Sequence, residues 1–192
     1  MAMGFYVDMT RCIGCRTCQV ACKDRHDLHE AGPRPRRVES FECGTYPDVA
    51  MFHHVMSCNH CDDPACVKGC PTAALHKDEE GIVVHDDTKC VVCRNCMLVC
   101  PYGAPQYDEV AKMIVKCDSC KDLRAAGKPP VCVAACPMRA IDFGDLDELR
   151  AKYGDDLVNE LPYLPTASWT RPNVLYKASA GALRKDFAPV VL

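Results

Sequence analysis

Seventeen cysteines stand in a chain of 192 residues, and in order they form four groups of four with one left over. Cys12, Cys15, Cys18 and Cys22 are spaced C-x2-C-x2-C-x3-C, and Cys90, Cys93, Cys96 and Cys100 repeat that spacing. Cys58, Cys61, Cys66 and Cys70 have a wider middle gap. Cys117, Cys120, Cys132 and Cys136 have a long one between their second and third members. Two-residue gaps let a short loop wrap three thiolates around one multi-iron centre. The fourth cysteine lies one helical turn farther on, too far round to close the same centre, and in two-cluster ferredoxins it binds the neighbouring cluster. Proline follows the fourth cysteine in three groups, as Pro71, Pro101 and Pro137. There it turns the chain away and removes a backbone donor. Lys23 takes that place in the first group.

Three other uses of cysteine compete with iron–sulfur ligation. Disulfides fit poorly, because pairs two residues apart repeated along the chain suit ligands better than a staple framework. Zinc explains pairs of C-x2-C pairs but not the ferredoxin run that occurs twice. Scattered buried thiols do not explain four ordered quartets. Cys43 has no partner at ligand spacing and reads as a small buried hydrophobe. His60, inside the second quartet, reads as a neighbour of a metal centre or a surface residue rather than a ligand.

The hydrophobic share of 48% counts these cysteines, and aromatic residues reach only 7%. The conventional core is therefore thin, and the metal centres are expected to organise the interior. The net charge is -3. The densest basic stretch, residues 34–37, reads as a solvated loop, and without interleaved aromatics it points to no nucleic acid. No run of about 18 apolar residues offers a direct membrane span. Residues 1–10 lack the basic and apolar regions of a secretory signal. No nucleophile–base pair, carboxylate pair or phosphate loop stands out, so the chain is expected not to be an enzyme by itself.

The local pattern is α+β. Strands are expected at residues 4–8, 51–56 and 113–115, with a hairpin of 74–77 and 82–84 and a mirroring strand at 140–143. Helices are expected at 17–27, after an acidic cap at 62–64, at 119–126 with Gly127 at its end, and at 146–153 stopped by Gly154. Residues 33–49 read as a connecting loop. The domain reading has four parts. Residues 1–57 carry the first motif and a loop, and 58–110 form a central ferredoxin-like lobe. Residues 111–154 carry the fourth motif, packed with the first. Residues 155–192 form an extended tail with little core of its own, lying on a partner or lobe surface.

The stretch CNHCDDPAC at residues 58–66, CPYGAPQY at 100–107, KCDSC at 116–120 and CVAACPMRAID at 132–142 resemble the four-cluster iron–sulfur subunits of molybdopterin-dependent oxidoreductases. The likeness is greatest to those of dimethyl sulfoxide reductases, and it extends to residues 161–165 and 169–173. The resemblance implies two interleaved bacterial-type 2×[4Fe–4S] ferredoxin-like units holding four [4Fe–4S] clusters. Cys12, Cys15, Cys18 and Cys136 would hold the first cluster, and Cys58, Cys61, Cys66 and Cys100 the second. Cys90, Cys93, Cys96 and Cys70 would hold the third, and Cys117, Cys120, Cys132 and Cys22 the fourth. Some members of the family have tryptophan at a ligand position and bind a three-iron cluster; cysteine at all sixteen positions here, Cys61 and Cys96 included, implies four four-iron clusters. The implied partners are a large molybdopterin catalytic subunit and a quinol-linked membrane anchor. The implied location is membrane-associated through the complex, either cytoplasmic or carried outside by an exported partner. A free-standing polyferredoxin is the alternative.

Overall fold

The structure is a computed structural model, and it describes residues 2–190. Strand β1 (Met3–Asp8) leads into the first ligand loop and helix α1 (Thr17–Arg25). A long hairpin of β2 (Arg37–Thr45) and β3 (Asp48–Met56) follows. Then come α2 (Ala65–Lys68), the short hairpin β4 (Leu75–Lys77) and β5 (Val83–His85), and α3 (Asn95–Val99). A second short hairpin, β6 (Gln106–Asp108) and β7 (Met113–Val115), precedes α4 (Lys121–Ala125) and α5 (Val131–Ala134). The chain continues through β8 (Ile141–Asp145), α6 (Leu146–Tyr153), β9 (Val174–Lys177) and β10 (Phe187–Val190).

Two three-stranded sheets frame the molecule, in the orders β8-β1-β9 and β10-β2-β3. In the first, Phe5, Tyr6 and Val7 are all buried, so both faces of β1 are covered. It pairs antiparallel with β8, Phe5 opposite Phe143, and parallel with β9, Tyr6 opposite Leu175. In the second sheet, Phe41 lies opposite Phe52, and their rings stack with centroids 5.1 Å apart. Tyr163 packs on Phe41 from outside the sheet, 5.1 Å between centroids. Aromatic pairs of this kind add to plain area burial. Helix α6 starts where sequence chemistry places it, because the Asp145 carboxylate accepts from the N–H groups of Asp147 and Glu148 at 2.9 and 3.2 Å, satisfying two orphan donors.

Four expectations change. Residues 33–49 are not a loop, because residues 37–45 form β2, the central strand of the second sheet. Prolines and a glycine concealed the strand, in which Val38, Ser40, Phe41 and Cys43 are buried. The basic stretch 34–37 is not wholly solvated, since Arg36 is only 1% exposed. Asp62 and Asp63 do not cap α2, whose cap position is Pro64. Their N–H groups instead donate to the carbonyls of Arg171 and Thr170. The tail has core of its own: Leu161, Val174, Leu175 and Tyr176 are buried, and β9 completes the first sheet. Residues 191 and 192 of that tail lie outside the described residues. Among the described residues, no helix is long and apolar enough to cross a membrane.

Candidate cluster-binding sites

One backbone device recurs in all four cysteine loops. The residue just before the second cysteine of each quartet has positive φ: Gly14 (69°), His60 (45°), Val92 (54°) and Ser119 (58°). For a β-branched residue such as Val92 this conformation is costly, so the surrounding structure must impose it. Left-handed residues in tight loops turn successive N–H groups inward and create a concavity for an anion. The N–H groups of Val92 and Ser119 accordingly donate to the sulfurs of Cys90 and Cys117 at 3.4 and 3.3 Å. At Gly14 a Cβ would stand 2.5 Å from His53 Nδ1, so any side chain there would have to displace the His53 ring.

A second device follows the fourth cysteine wherever proline does. Ala73, Gly103 and Arg139, two residues past Pro71, Pro101 and Pro137, are left-handed as well. The next N–H then points back, Ala104 to Cys100 Sγ at 3.5 Å and Ala140 to Cys136 Sγ at 3.3 Å. In the first quartet, where Lys23 replaces proline, α1 simply runs on past Cys22.

The folded chain regroups the quartets. Cys12, Cys15 and Cys18 line one small cavity with Cys136, together with Val38 and Val55. Cys58, Cys61 and Cys66 line another with Cys100. Packing of α1 on α5 and of α2 on α3 produces this exchange. Cys22 lies near Cys132 and Cys120, and Cys117 has Cys22 and Cys132 as neighbours. Cys96 has Cys90, Cys93 and Cys70. Cys43 stands apart in β2, buried, with its sulfur 3.6 Å from the Ala50 carbonyl.

Burial governs the acidity of these thiols. It pushes Cys22, Cys61 and Cys66 up to about 12, Cys18 and Cys96 up to about 11, and Cys117 well above the ordinary range. At neutral pH such groups become thiolates only when a metal takes the place of the proton. Cys15, exposed, is lowered instead, because the Thr17 hydroxyl donates to its sulfur at 3.3 Å.

These residues fit iron–sulfur clusters better than single ions. A tetrahedral zinc site with Zn–S of about 2.3 Å holds its sulfurs about 3.8 Å apart. Among the described residues, no three cysteines bring their sulfurs within 4.8 Å of one another; the one trio of ligand atoms that close is His26, Asp118 and Cys120. A cubane carries one thiolate on the outside of each iron and needs them farther apart. Buried polar atoms without protein partners lie near the ligand loops: Arg36 Nε and the two ring nitrogens of His60. His60 is fully buried, so the surface alternative for it is excluded. Arg36, read from the sequence only as part of a solvated basic loop, and Lys116, also buried, carry no spacing signal that marks them as neighbours of the cysteines.

Residues 49–146 match the model of the 4Fe–4S dicluster domain family. The B component of the anaerobic dimethyl sulfoxide reductase of Escherichia coli (strain K12) is 46% identical over 187 residues, covering 93% of this chain and 90% of that protein. The chain belongs to this iron–sulfur family. The arsenate respiratory reductase iron-sulfur subunit of Shewanella sp. (strain ANA-3) is 30% identical, with 94% of this chain and 98% of its own length covered. The thiosulfate reductase electron transfer subunit of Salmonella typhi is 40% identical over 144 residues, 73% of this chain and 74% of that one. As a member of the family the chain is an electron-transfer protein with [4Fe–4S] clusters as cofactors, four by its four quartets, and not a catalytic subunit.

Proposed function

We propose that this chain relays single electrons through four [4Fe–4S] clusters, held on crossed quartets, between a quinol-linked membrane anchor and a molybdopterin catalytic subunit. The observation that carries the proposal is the pairing of Cys136 with Cys12, Cys15 and Cys18, and of Cys100 with Cys58, Cys61 and Cys66, around separate cavities. By the same crossing, Cys22 would join Cys117, Cys120 and Cys132, and Cys70 would join Cys90, Cys93 and Cys96. Two interleaved ferredoxin-like units follow, the first and fourth motifs in one lobe and the second and third in the other.

Each bound cluster would supply reversible uptake of one electron. The chain's own residues do the rest. The loop N–H groups of Val92, Ser119, Ala104 and Ala140 donate to ligand sulfurs, and such bonds set cluster potentials. Contacts between quartets imply an order. Cys18 neighbours Cys132, and Cys117 neighbours Cys58, so the fourth cluster would sit between the first and the second. The first and third would then be the ends. Each of those ends has one exposed cysteine, Cys15 and Cys93, suited to electron exchange with a partner.

A reductase subunit is favoured over a free-standing polyferredoxin by the coverage of relatives named as components or subunits of reductases. Membrane association would then come through the anchor. Anaerobic purification tests the proposal. Co-purification with a large molybdenum protein, with iron and sulfide in the ratio of four cubanes per chain, is the expected result. Zinc in place of iron, or no inorganic sulfide, would reject it.

A further inference from the structure

Among the described residues, Arg36 is the largest fully buried side chain and has no carboxylate partner. Its Nη2 donates to Cys132 Sγ at 3.4 Å. Its guanidinium carbon lies 4.3 Å from the centroid of the Phe5 ring, and its Nε has no protein acceptor. The anionic groups within its reach are the sulfurs of Cys132, Cys117, Cys18 and Cys22. A cation out of water needs compensating charge, and among the described residues the sulfurs of these cysteines are the ones placed to provide it. Lys116, the other buried cation, is differently placed, with its ammonium donating to the carbonyls of Val83 and Cys117.

We propose that Arg36 is the potential-setting residue of the cluster on Cys22, Cys117, Cys120 and Cys132. The inference rests on the ligand sets proposed above. Reduction adds one electron to a centre whose thiolates already make it negative. A fixed positive charge at its sulfurs favours the reduced form more than the oxidised one. Guanidinium keeps that charge at every pH of interest, and its planar fork can serve a second acceptor through Nε. Three of the four sulfurs within reach belong to this one cluster; only Cys18 belongs to the neighbour. The effect should therefore fall mainly on one centre, and the arginine would keep that centre from becoming the lowest-potential step in the line.

The test is an EPR-monitored redox titration of the holoprotein in its complex, comparing wild type with Arg36→Gln and Arg36→Lys. In Arg36→Gln one of four signals should become at least tenfold harder to reduce, which for one electron is about 59 mV lower, with the others moved far less. Arg36→Lys should stay near wild type. Unchanged potentials in Arg36→Gln, or a shift in Arg36→Lys as large as in Arg36→Gln, would overturn the proposal. If Arg36→Gln fails to assemble its clusters, Arg36→Lys decides: four clusters at wild-type potentials support the role of charge, and loss or displacement there rejects it. Absence of [4Fe–4S] signals from the wild type would instead strike at the cluster reading itself.

Discussion

Asn173, in the C-terminal segment, donates its side-chain amide to the carbonyl of His60 at 2.9 Å, inside the second cysteine loop. Its N–H donates to the carbonyl of Asn59 at 2.9 Å, and its own carbonyl accepts from Phe5 at 3.3 Å. One buried residue thus joins the segment after α6, the central strand β1 and the loop that carries Cys58 and Cys61. The loop's strained residue, His60, is held from the far end of the sequence.

Asn173→Ala would leave the His60 carbonyl without that donor in a buried setting, at a cost of about 1–3 kcal/mol. For a chain of this size each kcal/mol lowers the midpoint by about 2–4 °C. Thermal unfolding of holoprotein should show the drop, with iron released earlier than from wild type. An unchanged midpoint would show that the tie contributes nothing.

Much of this architecture is legible in the chain, and the parts that are not share a cause. The cysteine quartets, the 74–84 hairpin and the 146–153 helix are written in local spacing, turn residues and caps. Strand β2 is not, because its buried residues include the polar Ser40 and are interrupted by Glu39 and Glu42, and its identity depends on β3 and β10 lying alongside. The tail is illegible for the same reason: Val174-Leu-Tyr176 is too short to announce itself, and it is buried only because β1 offers an edge. The left-handed backbone at His60, Val92 and Ser119 is enforced by the loop around it, with nothing in those residue types to signal it. Burial of Arg36 depends on sulfurs contributed from three distant segments.

Cys96→Ser should affect a single centre. Cys96 is buried beside Cys90, Cys93 and Cys70, away from the two cavities lined by the other crossed sets. Loss or conversion of one cluster, with the other three retained, is the expected EPR outcome. Four unchanged [4Fe–4S] signals would remove Cys96 from the ligand set.

Removal of the clusters should unfold the chain. Eleven of the seventeen cysteines are buried, and eight of these sit within the main core beside residues such as Val7, Val38 and Leu75. A metal site that does not exist in the unfolded chain contributes its binding free energy to folding. Cluster-free protein, prepared with an iron chelator under oxidising conditions, should lose its near-ultraviolet circular dichroism and its NMR dispersion. A well-dispersed spectrum would show that the apolar core suffices alone.

His54 should make the fold acid-sensitive in a defined window. Its side chain is buried, its Nε2 lies 3.1 Å from the Tyr176 hydroxyl, and burial, with help from Arg37 and Arg36, lowers it from 6.5 to about 3. The folded state therefore keeps the ring neutral while the unfolded chain protonates it below pH 6.5. Unfolded protein binds the extra proton, so stability is full above that value and falls as pH drops, by about 1.4 kcal/mol per unit. Between pH 7 and pH 5 the loss from this one group amounts to about 2 kcal/mol. His54→Gln keeps a partner for Tyr176 but cannot titrate. Its denaturation midpoints, measured anaerobically across that range, should show a shallower decline than wild type, and the two curves should converge at acid pH. Parallel curves would mean that His54 titrates in the fold as it does in the unfolded chain, against the burial that places it between Tyr163 and Tyr176.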